Sequence, residues 1–422
     1  MIKALTRPLL TALAGALAWA AVVLVGFSEG WARPPLTGSK APSEFLAAAR
    51  SYAEQAGFGN LALVLIEDGT VAAAHYASAG RPVGPDSLFQ VASLSKWLSA
   101  VGVMALVEDG ALELDAPVSN YLTRWALPPG PHDADGVTVR RLLSHTAGLD
   151  DGLGYAGFAA ATDVQTLEAS LTRAQDASPG ARGAVRVAAE PGSGWAYSGG
   201  GYTLLQLLVE EVSGQTFNDF MKARVFLPAG MRATTFDHGE ARATGLADNF
   251  DASGGSEPFR HYTSLAATSA YTSARDLVEF VRSQTPGQPE GSGRPLSLAT
   301  LQEMWQPHAA RLGEDIWGLG VMLYAPNGAG DFIIGHDGSN EPAINTAARL
   351  DPDTGDGIVV LETGGSLLAT RLAGEWVFWK TGNVDTLMFS MGLGGALRLA
   401  AAGAGAMLLL GGVWAWLRWR RR

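Results

Sequence analysis

The strongest hydrophobic pattern lies at the two ends of the chain. Leu9 to Phe27 and Leu399 to Leu417 are each uncharged apolar runs of 19 residues. A helix needs about 20 such residues to cross a bilayer, so both runs predict membrane helices. Lys3 and Arg7 precede the first run, and Arg418, Arg420, Arg421 and Arg422 close the second. Basic flanks stay cytoplasmic, which puts both ends inside and the body on the periplasmic or extracellular side of the cytoplasmic membrane. Trp414, Trp416 and Trp419 fit an interfacial aromatic belt. The first run reads as an anchor or as a signal peptide. It is long for a signal peptide, while Gly30-Trp31-Ala32 offers a small-residue cleavage site. Arg398 separates the second run from Leu387–Leu397, a stretch expected to lie on the membrane surface or against the body.

Between the ends, Ser28–Pro42 holds Pro34, Pro35, Gly38 and Pro42 and reads as a linker. Ser43 is expected to cap a helix running to about Gln55, with Glu44 in its first turn. Leu61–Ile66 and Val71–His75 flank Glu67-Asp68-Gly69-Thr70, which predicts a hairpin with an Asp-Gly turn. A helix is expected over Ser93–Glu108, then a long mixed stretch rich in Gly, Pro and Asp. Tyr202–Ser213 and Ala274–Arg282 have helical spacing within it. Strand character returns at Trp317–Tyr324, Phe332–Gly335, Asn345–Leu350 and Ile358–Glu362, and Leu367–Lys380 closes as a helix.

Strands at both ends of the body and helices in its middle predict an α+β fold. One antiparallel sheet joins N- and C-terminal strands, the first and last helices cover it, and a mostly helical domain over about 110–310 is inserted. The expected organisation is 1–27 anchor or signal peptide, 28–42 linker, 43–380 body, 381–398 linker or interfacial segment, 399–417 transmembrane helix and 418–422 basic tail.

Charge narrows the function. Nine of the 30 basic residues but only two of the 41 acidic ones lie outside 43–380, so the body carries 21 basic against 39 acidic residues. An acidic body argues against nucleic acid, which needs a positive surface. There are no cysteines, which excludes disulfides, thiol catalysis and zinc–thiolate sites. The histidines show no metal-ligand spacing, so neither metal nor cofactor is expected.

The candidate chemistry begins at Ser93-Leu94-Ser95-Lys96. Spacing i, i+3 puts Ser93 and Lys96 on one helix face. A desolvated lysine loses its proton readily and can activate a serine hydroxyl, and the helix N-terminus adds free N–H groups beside it. Three further segments follow: Leu142-Leu143-Ser144-His145-Thr146-Ala147-Gly148-Leu149, Trp195-Ala196-Tyr197-Ser198-Gly199-Gly200-Gly201 and Gly335-His336-Asp337-Gly338-Ser339. Together, in this order, the four resemble the serine β-lactamase-like superfamily, which includes class C β-lactamases, D-alanyl-D-alanine carboxypeptidases and related esterases. The resemblance covers about residues 43–380.

The resemblance implies a β-lactamase/transpeptidase-like fold and an acyl-enzyme on Ser93. Lys96 would take the serine proton with Tyr197 nearby, and Lys96 and a protonated His336 would stabilise a phenolate. N–H groups of Ser93 and Ser339 would form the oxyanion hole, with His336, Gly338, Ser339 and Gly199 lining the substrate. Gly338 would let substrate approach the strand backbone. The implied partners are small peptides or esters: D-amino-acid peptides, cell-wall peptides, β-lactams or small esters. Nothing in the pattern names a protein partner. One position departs from the family: Tyr-x-Asn is common there, and here Gly199 stands third, in a glycine run expected to be flexible. That departure motivates a rival expectation, a catalytically weak or inactive relative acting as a ligand-binding sensor of the cell envelope. Ser144-His145, Lys380-Thr381-Gly382 and Gly26-Phe27-Ser28-Glu29-Gly30 imitate catalytic motifs but lack the expected context.

Overall fold

A computed structural model describes residues 2–152, 154–286, 293–340, 344–365 and 367–420. Its backbone is an eight-stranded, wholly antiparallel sheet with spatial order β2-β1-β10-β9-β8-β7-β6-β5. The strands are β1 (Asn60–Glu67), β2 (Thr70–Ser78), β5 (Ala309–Arg311), β6 (Glu314–Trp317), β7 (Met322–Pro326), β8 (Phe332–Asn340), β9 (Ile344–Leu350) and β10 (Gly357–Thr363). Short strands β3 (Leu88–Gln90) and β4 (Tyr271–Ser273) form a separate ribbon within the mostly helical stretch between β2 and β5. The N-terminal hairpin therefore pairs with the C-terminal strands through β1 and β10.

The sheet is covered on both faces, which explains why its central strands are continuous apolar runs rather than alternating ones. Along β1, Leu61, Leu63 and Leu65 face the helices over Pro42–Ala56 and Leu368–Thr381, while Ala62, Val64 and Ile66 face the helical stretch. The first layer is built by α2 (Pro42–Ala56) and the helix over Leu368–Thr381, where Phe45 and Trp379 meet at 4.8 Å between ring centres. The second layer contains α3 (Ser95–Glu108), α4 (Gly199–Ser213) and α5 (Ala274–Ser283), with Trp97 edge-on to Phe280 at 5.0 Å. The last two helices of the chain are α6 (Leu368–Thr381) and α7 (Thr386–Arg420), and α1 spans Ile2–Ser28.

Three boundaries differ from expectation. Ser43 does not cap α2: Ala41 does, and Pro42 takes the first helical position. Proline suits that place because its fixed φ is helical and its missing N–H would have no partner there. The helix expected from Ser93 instead splits into a 3₁₀ turn, Ala92–Leu94, followed by α3. The stretch 381–398, expected as a linker or interfacial segment, is helical from Thr386 onward and continues without a break through Arg398 to Arg420. The β1–β2 turn follows its sequence closely, with Asp68 and Gly69 both at positive φ (48° and 68°).

Helices α1 and α7 form an antiparallel hairpin. Phe27 and Phe389 meet at 5.2 Å, and Trp19 Nε1 donates to the Leu399 carbonyl at 3.2 Å. A Cβ on Gly411 would stand 2.2 Å from Ala12 Cβ, and one on Gly392 would stand 2.5 Å from the Phe27 ring. Small residues thus let the two backbones approach closely. Both helices are long and apolar enough to cross a membrane by length and composition.

Strand β8 positions the site. β7 pairs only with its first part, Phe332–Gly335, so from His336 to Asn340 the strand pairs with β9 alone. On that stretch Gly338 lies against the turn before α3: a Cβ there would stand 2.0 Å from the Val91 carbonyl oxygen and 2.4 Å from Thr346 Oγ1. The glycine is therefore required for strand-to-turn contact, a role the sequence did not show. Gly338→Ala is expected to destabilise the fold by about 1–3 kcal/mol or more, the range for overpacking. Chemical denaturation of the purified variant measures this, and wild-type stability would refute the contact's importance.

Candidate active site

The serine turn is strained. Ala92 has φ of 46°, a left-handed conformation in a non-glycine residue that costs roughly 1–2 kcal/mol. Its surroundings hold it there. Ser95 Oγ donates to the Ala92 carbonyl at 2.6 Å and accepts from Ala270 N–H at 2.9 Å. Thr346 Oγ1 donates to the Val91 carbonyl at 2.8 Å, and Val91 N–H donates to the Ala270 carbonyl at 3.0 Å. Ser95 is thus buried and committed, whereas Ser93 is partly exposed at the cleft. Ser93 N–H lies in the first turn of the 3₁₀ segment, where helical N–H groups lack acceptors within the helix.

Lys96 is fully buried. Its Nζ lies 3.3 Å from Ser93 Oγ and donates to the Ala267 carbonyl at 2.7 Å. It stands over the rings of Tyr197 (4.9 Å) and Tyr202 (5.5 Å). Among the described residues it has no ion pair. Burial lowers its pKa to about 7, against a weaker upward pull from the Asp151 carboxylate. A lysine so poised is neutral in a large fraction of molecules near pH 7.

Tyr197 is held by the Leu142–Leu149 segment. The His145 ring stacks on it at 4.4 Å, and His145 itself turns at φ of 58°. Ala196 N–H donates to the His145 carbonyl at 2.8 Å and Gly192 N–H to the Thr146 carbonyl at 2.7 Å. Ser198 N–H donates to His145 Nδ1 at 3.1 Å, so that nitrogen is the acceptor and His145 is neutral. Burial, with the nearby Lys96 and His336, keeps its pKa well below the usual range. Ser144 Oγ donates to the Arg140 carbonyl at 2.9 Å, which removes the apparent Ser–His pair. Trp317 closes the cluster, 4.8 Å from His145, 5.7 Å from Tyr197 and 5.5 Å from His336. Burial raises the Tyr197 pKa, and its interaction with the Ser93 side chain opposes this.

The glycine run is not a flexible loop. Gly199, Gly200 and Gly201 form the first turn of α4, capped by Ser198 Oγ, which accepts from Gly201 N–H at 2.7 Å. The buried Asp151 carboxylate accepts from the Ser198 hydroxyl and from Gly200 N–H at 2.7 Å. An anion at a helix N-terminus is stabilising, and here it fastens the turn. A Cβ on Gly199 would stand 3.0 Å from the Tyr155 ring, so Tyr155 covers the place from which a side chain would project. With the turn fixed, the flexibility that motivated an inactive reading is gone.

His336, Gly338 and Ser339 sit on the β8 stretch beside the serine turn, with the Ser339 side chain exposed. The protonated His336 expected from the resemblance is contradicted. Burial, assisted by the Lys96 charge, lowers its pKa to about 3. Its Nδ1 lies 2.6 Å from the Asp337 carbonyl, so Nδ1 carries the proton and the buried Nε2 has no partner among the described residues.

The structure thus brings Ser93, Lys96, Tyr197 and the β8 stretch together. Sequence reasoning missed the Ala267 carbonyl, Asp151, Trp317 and the turned backbone at Ala92. A backbone carbonyl carries no residue-type signal, and Asp151 lies in an Asp-Asp-Gly stretch that reads only as a turn. Lys380, by contrast, ends α6 in ion pairs with Glu67 (2.8 Å) and Asp356 (2.9 Å), far in role from a catalytic strand.

Comparison with known proteins identifies the family and the fold. "Penicillin-binding protein 4*" of Bacillus subtilis is 40% identical over 159 residues, 36% of this chain and 32% of that protein. "Esterase EstB" of Burkholderia gladioli is 37% identical over 172 residues, 37% of this chain and 41% of that protein. The chain therefore spans about a third to two-fifths of these curated relatives. The octameric penicillin-binding protein homologue from Pyrococcus abyssi superposes with a TM-score of 0.66 at 25% identity, over 81% of this chain and 78% of that one. The beta-lactamase family matches residues 45–375, most of the body, and the chain belongs to that family.

Proposed function

We propose that this protein is a serine hydrolase that opens amide or ester bonds through an acyl-enzyme on Ser93, and that α1 and α7 tether it to a membrane. The observation that carries the reading is Lys96: a buried amine 3.3 Å from a partly exposed serine hydroxyl, with no ion pair among the described residues and a pKa lowered by burial to about 7.

Neutral Lys96 takes the Ser93 proton as Oγ attacks the substrate carbonyl. The negative charge on the carbonyl oxygen is met by N–H groups of Ser93 and Ser339. The proton passes to the leaving amine or alcohol, the bond to it breaks, and water then hydrolyses the ester on Ser93. Tyr197 relays the proton as a neutral phenol, since burial disfavours its phenolate. His336, also neutral, shapes the cleft wall. The substrate classes that fit are D-amino-acid and cell-wall peptides, β-lactams and small esters. The relatives named a penicillin-binding protein and an esterase support both bond types.

The tether rests on the antiparallel hairpin, which brings Arg7 near the α1 start and Arg418 and Arg420 at the α7 end to the same side. Basic residues there orient the body away from the cytoplasm. Packing of α1 on α7 supports a retained anchor over a cleaved signal peptide.

Two outcomes test the chemistry. Incubation with a fluorophosphonate or labelled penicillin should add mass to the wild type and not to Ser93→Ala, with ester turnover falling by at least about 10⁴-fold. Equal labelling of both would refute the assignment. The acylation rate should rise with pH to a plateau, with a midpoint near 7, as Lys96 loses its proton. The sign also reaches stability. Folding holds Lys96 below its unfolded pKa, so the unfolded chain binds more protons between pH 7 and 10.5, and this group's penalty fades as pH rises through that window. Lys96→Met should therefore abolish the acylation limb and raise stability at pH 6 by about 2 kcal/mol or more, read by denaturant titration.

A further inference from the structure

His336 and Gly338 face the serine turn, and alternation along a strand sends the intervening Asp337 to the other face of the sheet. There it meets a network that runs past the end of the matched family region at Asp385. Tyr324 Oη donates to Asp337 Oδ1 at 2.7 Å, and Thr370 Oγ1 of α6 donates to Oδ2 at 2.5 Å. Arg349 of β9, fully buried, forms an ion pair with Asp337 and lies with its guanidinium 3.3 Å from the centre of the Tyr324 ring. Its Nε donates to Asp385 Oδ2 at 3.1 Å. Asp385 is itself fully buried, and its Oδ1 accepts from Leu387 N–H at 2.7 Å and Met388 N–H at 3.3 Å, which caps the start of α7. A Cβ on Gly374 of α6 would stand 2.2 Å from Met388 Cγ, so the first turn of α7 is pressed against the same helix that holds Asp337.

One guanidinium therefore joins the cap of the apolar C-terminal helix to the middle residue of the His336–Ser339 stretch. The Asp337 charge reaches Tyr197 and His336, but among the described contacts none of these side chains touches Ser93, Lys96 or Tyr197. We propose that Arg349 and Asp385 are positioning residues that couple the seating of α7 to the geometry of the β8 edge. When α7 is docked, Asp385 orients the guanidinium, the guanidinium fixes Asp337, and the strand backbone following Asp337 is held with Ser339 beside the serine turn. When the cap is lost, Asp337 keeps the Tyr324 and Thr370 hydroxyls but loses its charged anchor, and the strand gains freedom where an oxyanion would bind. The consequence for turnover rests on the acyl-enzyme reading above; the structural coupling does not.

The test uses the full chain in detergent or nanodiscs. In Asp385→Asn, hydrogen exchange of the His336–Asn340 amides should accelerate at least tenfold relative to wild type, beyond any change in α3 or β10. With p-nitrophenyl acetate, kcat should fall by roughly 10- to 100-fold with KM moved far less, the loss that small misplacements remote from chemistry produce. Asp385→Glu should recover most of both. Thr370→Val, which loosens Asp337 without touching α7, should move the same two readouts in the same direction, and Gly374→Ala, whose Cβ would displace Met388 at the start of α7, decides the matter if Asp385→Asn does not fold. Unchanged exchange of the β8 amides in a folded variant would overturn the coupling, even if melting temperature falls. Accelerated exchange in a protein whose wild type never labels at Ser93 would leave the coupling standing and remove the hydrolase reading instead.

Discussion

The site depends on an ammonium group that has been denied an anion. Lys96 is sealed beneath Tyr197 and Tyr202 with one carbonyl, that of Ala267, as its close protein acceptor besides Ser93. In water that group would hold its proton to beyond pH 10. Burial disfavours the charged form, and only a neighbouring carboxylate could restore it. The nearest influence of that kind is Asp151, whose oxygens are occupied by the Ser198 hydroxyl and Gly200 N–H. The same carboxylate that would quench the base is thereby spent on fastening the turn after Tyr197. One buried anion thus fixes the tyrosine segment and stays far enough from contact with Lys96 to leave the base reactive.

That arrangement requires a backbone that would not stand alone. Ala92 is turned into a left-handed conformation so that Ser93 faces the cleft while Ser95 points inward. The cost is met by contacts from three separate parts of the chain: Ala270 beside β4, Thr346 on β9 and Gly338 on β8. Strain of this size persists only where surrounding structure over-determines it, and such positions concentrate at functional sites. The two-sided sheet supplies the rigidity. With apolar layers on both faces, β8 cannot tilt away from the serine turn without opening a core.

The elements whose signal is local were legible in the sequence. The Asp68-Gly69 turn demanded positive φ and obtained it, and the amphipathic spacing of Ala274–Arg282 matched α5 to within a residue. Ser93 and Lys96 were legible because their chemistry depends on residue type and i, i+3 spacing. Errors arose where long-range contacts decide. Gly199–Gly201 looked flexible because glycine is permissive, yet Asp151, about 50 residues upstream, turns them into a helix start. Gly338 looked like room for substrate, and its contact with the Val91 carbonyl, about 250 residues away in sequence, gave no local signal. His336 looked chargeable, but its charge state follows from burial, which no spacing encodes. Where a linker or interfacial segment was expected after Lys380, Asp385 and Thr386 start a helix whose packing on α6 and α1 is a long-range contact that local pattern does not encode.

The contact between the apolar hairpin and the body could have been made by apolar side chains alone, as Met388 on Gly374 begins to do. Apolar contacts are non-directional, and a helix held by them can slide or rotate by a few degrees at little cost. The Asp385–Arg349–Asp337 bridge is different in kind. Each hydrogen bond fixes an angle as well as a distance, and carboxylates hold Arg349 at both Nε and Nη1, although its buried Nη2 has no partner among the described residues. A helix that slid along α6 would strand a buried charge, a far larger penalty than a lost methyl contact. The body is therefore joined to its C-terminal helix at a point that resists displacement, and that point lies directly behind the strand that carries Ser339, one of the two candidate oxyanion donors.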